Sequence, residues 1–565
     1  MSSFEKCRLF QGHTNPTRRN RLVWTLLVLV LAASGEQACA VDRDKLRAAA
    51  PLPAMETGFH FDFGQVTDAP PDEAATRAQI SALSAARPAT SEGLLRLGEL
   101  YPQIKEFEHS REAYARAIPL LRQTLATRPD VAALVKLGTA LQGARRFDEA
   151  GEVLRRAVKL APRDALVWTT LGEVLLQSST EILLPSKKGF HFRVGTALSF
   201  QGLDAALLTS RPAPAAMTRA RLLLDEAEAS YKRAVQVAPG DPQVLTERIG
   251  FRVGAAFENR LLQVLRADET TTLKEAMASA ARAAFPEVLS PETLAELQTI
   301  ARLKPGDVAS NGAAALATLY GFALNNEREL PLKDGLQSLP APVADQMREL
   351  MGRLAVLSRG EKSAAPALEA LGVLGFLLSD PSTVQTLRGS LALDPSRVQA
   401  AEMLISVFAG SERFEELVAL LRERLKREDT ARDRLLLAKA YDHLGRPQDV
   451  EAQVSAALGR EPDDATANLA RLALLLRAGK MPQAAQQMQQ VAKLFALPAK
   501  PSRNQALSYA TLQGIFLGLS GQTEAAKRVL QTVLAADARN EAARQALAAL
   551  DFQGPNHLTA PSATV

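Results

Sequence analysis

Apolar residues recur along the chain at helical spacing, in units of one repeating length. Between residues 131 and 162 they are Leu134, Leu137-Gly138, Leu141, Phe147, Ala150, Leu154 and Ala157, closed by Pro162. Steps of three and four put these on one stripe of each of two short helices. Thirty-four residues on, Trp168, Leu171-Gly172 and Leu175 open the next unit in the same order. Gly138 and Ala150 are small where paired helices must approach closely. Pro162 cannot continue a helix, so it ends one unit and helps start the next. One pair cannot bury both its faces, whereas stacked pairs can, each touching mainly its neighbours.

This order of residues resembles the tetratricopeptide repeat family, most specifically at 131–175 and 431–464. The resemblance implies an all-α helix-turn-helix solenoid that winds as a superhelix. An N-terminal array then covers residues 91–240. A looser first unit is led by Leu94, Leu97-Gly98 and Tyr101, and Pro102 is expected to stop its first helix early. The second clean unit is interrupted, because its closing half, Ala227, Tyr231, Ala234 and Pro239, lies 77 residues after Pro162 by its proline. The surplus, about 177–218, contains Pro185, Pro212 and Pro214 and should loop out from one face. A C-terminal array covers 381–551, with turn glycines at Gly410, Gly445, Gly479 and Gly521 and its best unit at Leu437-Ala438, Tyr441, Val454, Ala457 and Pro462. Asn540–Asp551 reads as a capping helix, and 552–565 as a disordered tail. Between the arrays, residues 241–380 keep helical periodicity, as in Leu294–Leu303 and Val343–Leu357. They are either divergent repeats or a separate small helical domain.

The N-terminus reads as an address. Arg18, Arg19 and Arg21 precede the uncharged run Leu22–Gly35, and Ala38-Cys39-Ala40 follows. That is the order of a secretory signal peptide over residues 1–40, with cleavage expected after Ala40. The apolar run is short of the roughly 20 residues needed to cross a bilayer, so a membrane role is expected only through an uncleaved N-terminus. The expected destination is outside the cytoplasm, periplasmic or secreted. Both cysteines, Cys7 and Cys39, lie in this segment, and a chain cut at Ala40 holds none. Residues 1–40 also hold five basic and two acidic side chains, so a formal charge of +5 becomes +2 for the remainder. A near-neutral body gives no field argument for nucleic acid. Residues 41–90 are read as a linker or N-terminal extension.

Two short echoes stand outside the helical pattern. Gly58-Phe59-His60-Phe61 and Gly189-Phe190-His191-Phe192 are identical, and each continues in alternation. Period two is a strand signal, so the two either pair as a short two-stranded β element or are unrelated apolar turns.

Catalytic signatures are missing from the sequence. No HExxH, GxSxG, P-loop or GxGxxG-after-strand pattern occurs, and the histidines are scattered. No catalytic residue, metal or cofactor is therefore expected. In the tetratricopeptide family, positions two, five, nine, twelve and thirteen of each first helix face a ligand in a concave groove. The resemblance places the groove candidates at Thr139 and Gln142, at Thr169 and Glu173, and at Arg432, Lys439, Asp442 and His443. The expected function is a non-enzymatic scaffold of the cell envelope that binds protein or peptide partners. The competing reading is a catalytic or ligand-binding domain at 241–380 with repeat arrays as docking arms. It would have to use carboxylates such as Glu258, Glu287 and Glu292.

Overall fold

Proline and aspartate together set where each helix pair begins. After Leu160 and again after Arg460, Pro162 and Pro462 block continuation. Two residues later Asp164 accepts from the Leu166 N–H at 3.0 Å and Asp464 from the Ala467 N–H at 2.6 Å, capping the next helix.

The computed structural model describes residues 42–53, 73–86, 89–104, 106–127, 130–185, 211–268, 271–496 and 501–551. The signal segment, the two Phe-His-Phe echoes with His60 and His191, and the tail lie outside them. Among the described residues no strand occurs, and no helix is long and apolar enough to cross a membrane.

The helices follow one another in an all-α array. They begin with α1 (Arg43–Ala48), α2 (Glu73–Ala85), α3 (Ser91–Leu100), α4 (Phe107–Thr127), α5 (Val131–Gly143), α6 (Phe147–Leu160), α7 (Ala165–Leu183) and α8 (Pro214–Val237). Next come α9 (Pro242–Ala267), α10 (Leu273–Val288), α11 (Pro291–Leu303), α12 (Val308–Asn325), α13 (Ala341–Leu357), α14 (Ala364–Leu377), α15 (Thr383–Leu393) and α16 (Val398–Gly410). The last are α17 (Phe414–Arg427), α18 (Ala431–His443), α19 (Pro447–Arg460), α20 (Ala465–Arg477), α21 (Met481–Phe495), α22 (Arg503–Leu519), α23 (Thr523–Ala536) and α24 (Glu541–Leu550).

The chain divides into two compact units, Thr57–Leu420 and Met1–Glu56 with Leu421–Val565. In the first, helices pack chiefly against the next or next but one, the pattern of a stacked solenoid. Residues 241–380 lie wholly inside this unit, and the division falls at Leu420–Leu421. The interruption is narrower than the sequence pattern implied: α7 runs on to Leu183 and α8 starts at Pro214, so the paired helices persist beyond the repeat's own length. As the spacing predicted, α3 stops at Leu100, and Pro102 sits in a 3₁₀ turn.

Close packing inside each pair depends on absent side chains. A Cβ on Gly138 would come within 2.7 Å of Leu154, and one on Gly172 within 2.6 Å of the Tyr231 ring. Tyr231 is only 3% exposed and stacks on Phe251 with centroids 4.8 Å apart. The turn between paired helices needs a left-handed residue, supplied by Gly445, Gly479 and Gly521 in the second unit. Gly410 does not serve this way. It ends α16, and Glu412 takes the positive φ, as Arg145 does in the first array.

In the second unit the same neighbour-to-neighbour packing holds from α18 to α24. Asn540 caps α24 by accepting from the Ala543 N–H at 3.0 Å, and Glu541, Arg544 and Gln545 face solvent. One element breaks the rule. Residues expected in a linker form α1, which packs on α20, α22 and α24, far along the chain.

The small-residue contact gives a direct test. Gly172→Leu should lower the stability of the first unit by about 1–3 kcal/mol through overpacking against Tyr231. Gly240→Ala, in a turn with open space around it, should leave it unchanged within about 0.5 kcal/mol. Thermal unfolding followed by circular dichroism distinguishes the two.

Candidate functional site

Polar side chains of α5, α7 and α9 meet in the first unit, and two of them are carboxylates. Thr139 and Gln142 are half-buried on α5, and Glu173 is reached by solvent on α7. Gln142 donates from Nε2 to Glu173 Oε1 at 3.0 Å, and Gln177 donates to the same oxygen at 3.1 Å. On α9, Gln243 donates to Glu247 at 3.0 Å. Gln142 and Glu173 are two of the candidates that the family resemblance singled out, and the structure brings them together. Glu247 belongs to a stretch with no clear repeat signature, and only the stacking of α9 brings its charge close enough to act on Glu173.

Glu173 is solvent-accessible yet ringed by protein. That crowding raises its pKa, the Gln142 hydrogen bond works against the rise, and Glu247 adds to it. The same field acts on Tyr114, whose ring lies against Gly98 and Gly143. Burial, with Glu99 and Glu173 nearby, pushes its hydroxyl up to about 12. Tyr231 is raised well above the usual phenol value by burial first and by Glu173 and Glu247 after it. Glu173 thus lies near both tyrosines, with Glu247 near Tyr231 and Glu99, itself paired with Arg96 at 2.8 Å, near Tyr114. Thr169 does not take part: it is 1% exposed, and its hydroxyl donates to the Leu166 carbonyl of its own helix at 3.0 Å.

The second unit treats its candidates differently. Arg432 and His443 are exposed at the two ends of α18, and Lys439 is half-buried. Burial lowers the Lys439 pKa, with Asp442 opposing. Asp442 is engaged by Arg477 of α20, whose Nη2 lies 3.1 Å from Oδ2. Sequence spacing could not foresee that ion pair, because its partner sits 35 residues away on another helix.

The carboxylates required by the catalytic alternative do not converge. Glu258 is fully buried on α9 and accepts from the hydroxyls of Ser179 and Thr180. Glu287 pairs with Arg260. Glu292 sits at the exposed start of α11, where backbone hydrogen bonding lowers its pKa. Glu287 and Glu292 line a cavity of about 340 Å³ with Arg248 and Arg252, but those arginines are directed at Glu296, at 2.8 and 3.1 Å. Among the described residues no group of three His, Cys, Asp or Glu side chains could hold a metal ion.

The tetratricopeptide repeat family matches the chain at residues 108–174 and again at 435–501. The crystal structure of yeast Tom70 is similar at 12% identity and a TM-score of 0.31, over 81% of this chain and 95% of that one. The Cut9–Hcn1 hetero-tetramer of the APC/C is similar at 11% identity and a TM-score of 0.29, over 84% and 92%. No curated protein matches the sequence.

Burial of Glu258 has a measurable consequence. Its pKa is raised from 4.5 to about 7, first by desolvation, so the folded chain holds a proton that the unfolded chain releases. Stability from this group is full below pH 4.5 and is lost as pH climbs through 7, by on the order of 3 kcal/mol. Glu258→Gln should flatten that fall, leaving the variant more stable than the parent at pH 8 but not at pH 5 in thermal unfolding.

Proposed function

We propose that this chain, which matches the tetratricopeptide repeat family at residues 108–174 and 435–501, serves as an exported, non-enzymatic scaffold of the cell envelope that holds a protein partner on a concave face. The observation that carries the reading is Glu173. It is a carboxylate open to solvent, held by Gln142 and Gln177, and raised in pKa by crowding and by Glu247. Such a group is under-neutralised in the free protein. A lysine or arginine side chain laid in the groove would relieve it through a charge-assisted hydrogen bond. Repeat arrays present grooves of this kind to extended or helical peptides, so the partner is read as a protein segment with a basic side chain. The export part of the reading rests on the order of residues 1–40.

The test uses the mature chain as bait in an envelope fraction. A partner should be captured by the parent, released by added salt, and lost with Glu173→Lys. Lys439→Glu, in the other unit, should retain it. Capture that is indifferent to Glu173→Lys overturns the acidic-groove assignment. N-terminal sequencing of the purified product should begin at Val41, and a chain that keeps Met1 in the cytoplasm overturns export.

A further inference from the structure

The C-terminal array is already carrying a peptide, and the peptide is its own chain. Helix α1 makes its substantial contacts with α20, α22 and α24, the first helices of successive pairs, and not with the second helices between them. The side of α20, α22 and α24 that α1 covers is termed their inner face. Leu46 is fully buried there, and Ala49 and Ala50 join it in one apolar cluster with Leu472, Leu476, Ile515 and Ala549. Gly518 on α22 has no side chain because Leu46 takes the space: a Cβ there would lie 2.7 Å from Leu46 Cδ2.

The polar contacts have the character of peptide recognition. Arg477 donates from Nε to the Ala50 carbonyl at 2.7 Å, and the Asp42 N–H donates to the Ala549 carbonyl at 3.2 Å. Both are read from the backbone, so any peptide could offer them. Arg477 is held for this by Asp442, which makes Asp442 a positioning residue. The fit is incomplete, since the buried Arg47 Nε meets no acceptor. A six-residue helix also has little stability of its own once released.

We propose that the inner face of α20, α22 and α24 is a binding groove for short helical peptides. Residues 42–52 occupy it as an exchangeable internal ligand. The incoming ligand is a protein segment of the same chemistry, with a leucine followed three and four places later by alanines. The tether gives the internal segment a high effective concentration, so it screens the groove from weak competitors. This site is separate from the acidic face of the other unit, and either assignment can fail alone.

The experiment uses the full chain carrying Leu46→Glu, which places a charge in the apolar socket and ejects the segment. A fluorescent synthetic peptide of residues 42–53 should then bind saturably, and roughly tenfold or more tightly than it binds the parent chain. A Leu46→Glu version of the peptide should not bind. A folded variant that ignores the peptide overturns the proposal, as does a parent that binds it equally well. If Leu46→Glu instead melts the C-terminal array, the segment is permanent core and the proposal fails. For the parent chain, excess peptide should speed hydrogen exchange at residues 45–50 but not within α22. A parent that is dimeric and shows no such exchange overturns the intramolecular assignment in favour of a second copy's segment.

Discussion

A helical hairpin with apolar residues on two sides can hide only one of them by folding on itself. Everything else in this protein follows from how the other side is covered. Stacking the next hairpin is one solution, and it works only where helices come close enough to exclude water. Gly138 under Leu154 and Gly172 under Tyr231 set that closeness inside a hairpin, and Gly143 against the Tyr114 ring sets it between one hairpin and the next. A methyl group at any of these would hold the helices apart and leave gaps in a core that tolerates few. Because each pair leans on its neighbours, the array can accept irregular members. The long α7–α8 hairpin, opened between Leu183 and Pro214, still packs as a pair and hands its outer face to α9.

The two units differ in what their first helices carry. In the first, Glu99 and Glu173 lie close enough to influence Tyr114, and Glu173 and Glu247 to influence Tyr231. Glu173, common to both, has its pKa raised chiefly by desolvation, so a cation brought beside it would be favoured. In the second unit the inner surface is apolar and small, and it is closed by a segment from the far end of the sequence.

Buried charge elsewhere serves the stack itself. Glu369 on α14 is 1% exposed and takes Arg397 Nε at 2.8 Å and the Ala400 N–H at 2.8 Å. Desolvation raises its pKa while Arg397 opposes the rise. Removing either partner would strand the other in a dry place, a much larger loss than the pair's net contribution to stability. Glu258 shows the neutral solution to the same problem, with hydroxyls of Ser179 and Thr180 as partners in place of a cation.

Local spacing alone determined the paired helices, the proline stops, the halt of α3 before Pro102 and the capping role of Asn540, because each depends on residues within a turn or two of one another. The family resemblance, not spacing alone, singled out Gln142 and Glu173, which the structure joins by a hydrogen bond. Contacts between distant segments were decided only in three dimensions. Thr169 is buried with its hydroxyl on the Leu166 carbonyl, and Glu412 takes the turn position assigned to Gly410. Asp442 is bound to Arg477, and residues 42–52 lie in a groove instead of a linker. Periodicity records which side of a helix is apolar, but not which surface arrives to cover it. For α1 that surface lies more than four hundred residues away along the chain.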